Sequence, residues 1–189
     1  MDVILASGSP RRRELLAHIY KDFQVIPADI EEVIPQGTAP CDVGELLAKQ
    51  KTLHVQKNHP NDLIIGADTV VAVDGEILGK PQNADDAKRM LALLSGREHQ
   101  VYTGVSLRFK QTAVSFTQCT KVWFYPLTAQ EIDNYIETEE PFDKAGAYGI
   151  QGEGSILVEK IEGDFFNVMG LPVARLKREL GKITDESKV

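Results

Sequence analysis

Residues 5–14 read LASGSPRRRE and combine the groups from which proteins build phosphate sites. Ser7, Gly8 and Ser9 stand between an apolar run, Val3 to Ala6, and a helical pattern that Pro10 opens. A strand feeding a helix through such a turn leaves backbone N–H groups, two hydroxyls and the positive helix end facing one point, which suits an anion. Arg11, Arg12 and Arg13 add forked donors that match phosphate oxygens. Cations at a helix start are unfavourable unless an anionic ligand compensates them. The alternative is a solvated first turn whose arginines pair with carboxylates such as Glu14. The chain has no GxxxxGK[ST] phosphate loop.

Other groups could act on the same ligand. Asp68 directly follows the apolar run LIIGA (63–67). A carboxylate at the end of a buried strand can serve as metal ligand or general base, or can simply cap the turn before Thr69. Glu31 and Glu32 lie in a proline-containing loop and offer further carboxylates, or a solvated pair. Lys51 sits on a helical stretch, and Lys80 lies in LGKP between Gly79 and Pro81. Each is a compact charge suited to phosphate, or an ordinary surface lysine. The stretch DKAGAYGIQG (143–152) has neither strand nor helix period and is longer than a plain strand connection needs, so it reads as a functional loop. Its Gln151 offers a donor and an acceptor to a base edge. The histidines, His18, His54, His59 and His99, form no HExxH or triad order and read as surface or core groups.

Those residues need elements to hold them. The pattern predicts strands at 3–6 and 23–26, a proline-containing loop over 28–41, and a helix that Asp42 caps and that runs to about Asn58. On that helix Val43, Leu46, Leu47 and Leu53 should face inward. LIIGA reads as a central strand and VVAVDGEIL (70–78) as a hairpin turning at Asp74-Gly75. Asn83 caps a helix with Ala87, Met90, Leu91 and Leu94 on one face and Gly96 past its end, the LSGR arginine belonging to that terminus. Long strands are expected near 99–109 and 113–125, the second presenting Val114, Phe116, Val122 and Phe124 on one face. Thr128 and Glu131 form a capping box opening a helix through Ile136. The glycine-rich stretch 143–154 reads as loop, followed by strands near 155–161 and 165–169. Pro172 starts a last helix, and the polar tail from about Lys182 reads as frayed. The sum is an α/β chain with a mixed parallel and antiparallel sheet, flanking helices and two lobes around a central cleft.

Composition bounds the function. A formal net charge of −7 over 189 residues argues against a general nucleic-acid or acidic-membrane binder, so any anion site must be local. No apolar stretch approaches the roughly 20 residues of a membrane span, and no signal-peptide pattern is present. The cytoplasm is the expected compartment. Cys41 and Cys119 show no metal spacing and no disulfide framework.

LASGSPRR, GADT, LGKP, LSGR and DKAGAYGIQG, in this order and spacing, closely resemble the Maf family of nucleotide pyrophosphatases, within the inosine-triphosphate-pyrophosphatase-like superfamily. The likeness runs from Val3 to about Leu180. It implies an elongated α/β fold forming a single Maf-like domain over 1–189. The implied activity is hydrolysis of a nucleoside triphosphate to monophosphate and pyrophosphate, with a divalent cation, Mg²⁺ or Mn²⁺, and often a homodimer. The dTTP/UTP branch carries an arginine after Ser-Pro, a threonine after the GAD aspartate and a glutamine in YGIQG, here Arg11, Thr69 and Gln151. The catalytic aspartate, usually described as proton acceptor, falls on Asp68. Ser7, Arg12, Glu32, Lys51 and Lys80 match other pocket positions, with Glu32 joining Asp68 toward the metal. Arg13 extends the arginine pair toward solvent. A nucleotidyltransferase, whose loop is usually richer in glycine, and a non-catalytic nucleotide sensor linked to cell division are the competing readings.

Overall fold

The structure, a computed structural model describing residues 1–185, is built on one mixed sheet of seven strands. β1 (Val3–Leu5) and β2 (Gln24–Val25) pair in parallel at one edge, and β1 pairs in parallel with the start of β3 (Leu63–Val73). β4 (Glu76–Leu78) folds back antiparallel onto the end of β3. Asp74 and Gly75 turn that corner with φ of 51° and 82°, the positive values a tight hairpin requires. β5 (Glu98–Phe109), β6 (Thr112–Phe124) and β7 (Val158–Glu162) extend the sheet by antiparallel pairing.

The two edges of β3 differ. Toward β5 it is paired without interruption from Ile64 to Ala72. On the other edge β1 covers residues 63–65 and β4 covers residues 71–73. Residues 66–70 therefore have no described strand beside them on that edge. Ligands of α/β sheets collect where neighbouring strands part in this way. One expectation changes here. Asp68 and Thr69 do not follow the strand but lie inside it, and they are its two half-buried positions between fully buried flanks. Successive strand residues point to opposite faces, and each of the two is tolerated mid-strand because it has a polar partner beside the opening, Lys51 for Asp68 and Arg12 for Thr69.

The helices cover the sheet. α1 (Pro10–Leu16) starts as the sequence predicts, with the Ser9 hydroxyl accepting the Arg12 N–H. α2 (Pro40–Gln56) begins earlier than expected: Ala39 is its cap residue, Pro40 opens it, and Asp42 lies in its first turn, where a carboxylate favours the helix dipole. Its inward face also differs. Val43 and Leu47 are buried as expected, but Leu46 is half-buried and Leu53 is 45% exposed. Gly44, Ala48 and Thr52, one turn apart each, face the sheet instead. They pack on Gly66 of β3 and Gly104 of β5. A Cβ at Gly66 would lie 2.6 Å from Thr52 Cγ2, and one at Gly104 would overlap the main chain at Gly44 and Glu45. Small residues make this contact, so apolar periodicity does not reveal it.

α3 (Ala84–Leu94) is capped by Asn83, and α4 (Ala129–Glu137) carries both halves of the Thr128/Glu131 capping box. The stretch 143–154, expected as open loop, is largely 3₁₀ instead, with segments at Glu140–Asp143, Ala145–Ala147 and Gly152–Leu157, the last of which also takes residues 155–157 from the strand expected to start there. Residues 165–169, expected as strand, form a one-turn helix, α5 (Phe165–Met169), which Asp164 caps. Five apolar-rich residues are too few to show a helical period. α6 (Val173–Asp185) follows Pro172, and the remainder of the predicted frayed tail lies outside the described residues. One apolar cluster links β1, β3, β5, β6 and the helices other than α2, whose Val55 packs with Ile4 and Ile64 and whose Val43 and Leu47 pack with Val70 on the sheet's other side. Among the described residues no helix is long and apolar enough to cross a membrane. Cys41 and Cys119 are exposed free thiols.

Candidate active site

The opening beside β3 is a cleft of about 730 Å³, within the range of small-molecule pockets. The turn after β1, the middle of β3, the turn after β4, the 3₁₀ segments and α5 all reach it. Ser7, Arg11, Arg12, Glu32, Lys51, Asp68, Thr69, Lys80 and Gln151 line it together. Residues spread over most of the chain thus meet at one place. Glu31 is exposed and does not line the cleft, and Arg13 is exposed at the surface.

Arg12 is the anchor of the wall formed by α1. Its Nε donates to the Gly170 carbonyl at 2.9 Å, Nη1 to the Ser7 hydroxyl at 3.2 Å and Nη2 to the Thr69 hydroxyl at 3.0 Å. All three acceptors are neutral. Thr69 is held in turn against the Thr103 hydroxyl at 2.9 Å, and Thr103 donates to the Asn167 carbonyl at 2.9 Å. Burial pulls the Arg12 guanidinium below its ordinary pKa, while Asp68 pushes it back up and the adjacent Arg11 pulls it down again. It stays a cation, because a guanidinium does not lose its proton in proteins. The arginines do not turn back to Glu14: Arg11 reaches Asp143, with Nη1 3.5 Å from its carboxylate. Burial raises the Asp143 carboxyl, but the hydrogen bond and charge of Lys144, with Arg11, outweigh it and leave the group below its usual range.

Across the cleft two carboxylates share one ammonium. Lys51 Nζ lies 2.8 Å from Glu32 and also donates to Asp68 Oδ1. The lysine comes from α2 and the aspartate from β3, so the close packing of that helix on the sheet brings them together. Glu32 comes from the 27–39 loop, which Gln50 pins from α2. The Gln50 amide accepts from the Val33 N–H at 3.1 Å and donates to the Val33 carbonyl at 2.6 Å. Neighbours on one helix therefore place both the loop and the ammonium. Asp68 and Lys51 are largely enclosed, with side chains 17% and 14% exposed, whereas Glu32 is open at 45%.

Lys80 stands exposed on the wall beyond β4, where the Gly79 carbonyl accepts the Gly146 N–H at 3.1 Å and ties the two glycine-containing turns together. Val101, Val168, Met169 and Ile150 give the cleft an apolar side, and Gln151 is exposed at its mouth. Tyr148 closes the floor, its hydroxyl 2.7 Å from His99 Nε2. His99 is completely buried, as the sequence reading of core or surface histidines allows. Sequence reasoning did not single out α5, whose Gly170 carbonyl holds Arg12, nor Lys144 as a separate cation of the cleft. Lys144 was visible only as one member of a dense loop; the α5 contact had no signal, because it depends on a backbone carbonyl.

The arrangement is a cationic anion cradle facing a carboxylate pair, with an apolar side and an amide at the lip. It can take a polyanion with an attached ring and place a basic oxygen beside it. Comparison with known proteins agrees. The Maf-like protein family matches residues 2–183. A protein of Bacillus cereus named dTTP/UTP pyrophosphatase is 51% identical over 94% of this chain and 93% of its own length. One of the same name from Carboxydothermus hydrogenoformans is 54% identical over 95% of this chain and 97% of its own. Among solved structures, a HAM1 protein from Coxiella burnetii shares the fold, with a TM-score of 0.54 over 96% of this chain and 99% of that one at 12% identity.

Proposed function

The chain belongs to the Maf family, and from that membership we propose that it hydrolyses dTTP and UTP to the monophosphate and pyrophosphate. What supports this reading is the meeting in one cleft of Arg12, held by neutral oxygens, with the Glu32–Lys51–Asp68 group opposite. A triphosphate between them would find its charge met by Arg11, Arg12, Lys80 and Lys51, and oriented donors of this kind stabilise the charge that builds on a departing pyrophosphate. Ser7 contributes by fixing Arg12. Asp68 would take the proton of the water whose oxygen attacks the α–β anhydride, and the bond to the leaving pyrophosphate breaks as the new P–O bond forms. Thr69 and Gln151 would favour a uracil or thymine ring, Gln151 because its amide meets an edge that presents both an acceptor and a donor.

Family membership also implies a divalent cation, Mg²⁺ or Mn²⁺, and the donors present fit one. Among the described residues no group of three or more His, Cys, Asp and Glu forms a cage. Glu32 and Asp68 converge on a point now met by the Lys51 ammonium. Hard cations of this type are held by one or two carboxylates and completed by substrate phosphates and water. Glu32 and Asp68 would hold the ion, which when bound supplies charge neutralisation at the anhydride.

The test is product analysis. Protein incubated with UTP and Mg²⁺ should release UMP and pyrophosphate, prefer UTP and dTTP to ATP and GTP, and stop on addition of chelator. Release of UDP and phosphate, dependence on a second substrate, or faster turnover of GTP would overturn the assignment.

A further inference from the structure

The loop that carries Gln151 has no ladder of its own to define it, since residues 148–151 lie between two 3₁₀ segments, the second of which begins at Gly152, and outside any strand. Its N–H groups at Gly149, Glu153 and Gly154 are held instead by one pair of side chains. The Glu140 carboxylate accepts the Glu153 N–H at 3.0 Å through Oε2 and the Gly154 N–H at 3.1 Å through Oε1. The Tyr135 hydroxyl donates to Glu140 Oε1 at 2.8 Å and accepts the Gly149 N–H at 3.1 Å. Gln151 lies between these anchor points, two residues after one and two before the other. We propose that Glu140, with Tyr135, is the positioning residue for base selection: the pair clamps the backbone on both sides of Gln151 and aims its amide at the pyrimidine edge. This rests on the reading of Gln151 given above.

The packing is too close for the clamp to be incidental. A Cβ at Gly152 would overlap Glu140 Oε2, and one at Gly154 would lie 2.6 Å from the Tyr135 hydroxyl. The glycines of GIQGEG thus let main chain sit directly on the carboxylate and the phenol. Successive backbone N–H groups converging on one carboxylate oxygen pair form a small anion nest, filled here by a side chain of the protein itself. Glu140 is delivered to that nest by Glu139, which leaves the end of α4 in the left-handed region at φ 60°. Lys144 Nζ donates to the Glu140 carbonyl at 2.9 Å, so the clamp is joined to the cation that lines the cleft. Tyr135 is buried and Glu140 half-buried, while Gln151 itself is exposed. An exposed amide on a loop reads a base only if its backbone is fixed beforehand.

The experiment is a double-substitution cycle on Glu140→Ala and Gln151→Ala, read as the ratio of kcat/KM for UTP to that for ATP. Each single change should narrow the ratio roughly tenfold, the factor typical of losing one well-placed hydrogen bond to substrate, and the double change should narrow it little further. Tyr135→Phe keeps the packing ring and should narrow the ratio by a smaller factor, with Glu140→Gln intermediate between wild type and Glu140→Ala. These milder changes decide the matter if Glu140→Ala does not fold. A merely structural Glu140 would lower both nucleotides equally with the folded fraction, or add independently to Gln151→Ala, and either result overturns the proposal. A wild type that prefers UTP while every clamp variant keeps its ratio overturns the clamp alone. A wild type with no preference for UTP overturns the reading of Gln151 and the clamp together.

Discussion

A carboxylate that only capped a turn would accept backbone N–H groups beside it; Asp68 meets the Lys51 ammonium inside the cleft instead, from the middle of a strand. That position removes the turn-capping alternative and makes the expected behaviour of Asp68→Asn specific. The amide keeps the shape and one accepting oxygen but loses charge and basicity. Turnover of UTP should fall by roughly 10²–10⁴-fold, as when a general base is lost. Glu32 still accompanies Lys51, so the melting temperature should change little. Single-turnover rate and thermal melting on the same preparation check both halves, and a folded, fully active variant would remove Asp68 from the chemistry.

Elements, more than residues, decide whether such groups meet. α2 crosses the sheet at the Asp68–Gly104 pair, where a Cβ on Gly44 would lie 2.9 Å from the Asp68 carbonyl oxygen. Gly104→Ala forces the helix off the strands, because the new methyl overlaps the main chain of Gly44 and Glu45. Stability in urea should drop by at least roughly 2–3 kcal/mol, the upper range for overpacking. The protein that still folds should lose kcat, since Lys51 rides on the displaced helix. None of this was legible in the sequence. Apolar periodicity with an Asn cap found α3, the capping box found α4, and motif spacing found the cleft residues, because those signals are local. The inner face of α2 is made by Gly44, Ala48 and Thr52, which carry too little apolar bulk to register. α5 is one turn long, and the continuation of β3 through Asp68 and Thr69 depends on an opening that β1 and β4 create from elsewhere in the chain. The hairpin at Asp74-Gly75 was readable, since positive φ leaves its mark in residue type.

At the scale of the molecule, acid is expected to act through the interior as well as through surface carboxylates. Burial pushes the His99 imidazole down to about 4 from an ordinary 6.5, among Phe124 and Tyr148 with Nδ1 lacking a described partner. Between those values the unfolded chain binds a proton that the folded chain refuses. The contribution to stability is full above about pH 6.5 and is lost as pH falls toward 4, by at most about 3 kcal/mol. Urea unfolding at about pH 7.5 and about pH 5 should show the decline, and His99→Phe should flatten that slope whatever it does to absolute stability. Among the described residues α2 meets the sheet backbone to backbone, most closely on β5 at Gly104 and also where Gly44 faces the Asp68 carbonyl and Gly66 the Ala48 carbonyl, with nothing compressible between the layers. Side chains elsewhere in the core can exchange volume with their neighbours over generations, and the helix will still come to rest on the strand at the same depth. Lys51 and Asp68 are therefore gauged by the thickness of the polypeptide itself, so the interior is free to drift in composition while the spacing on which the proposed chemistry rests stays calibrated.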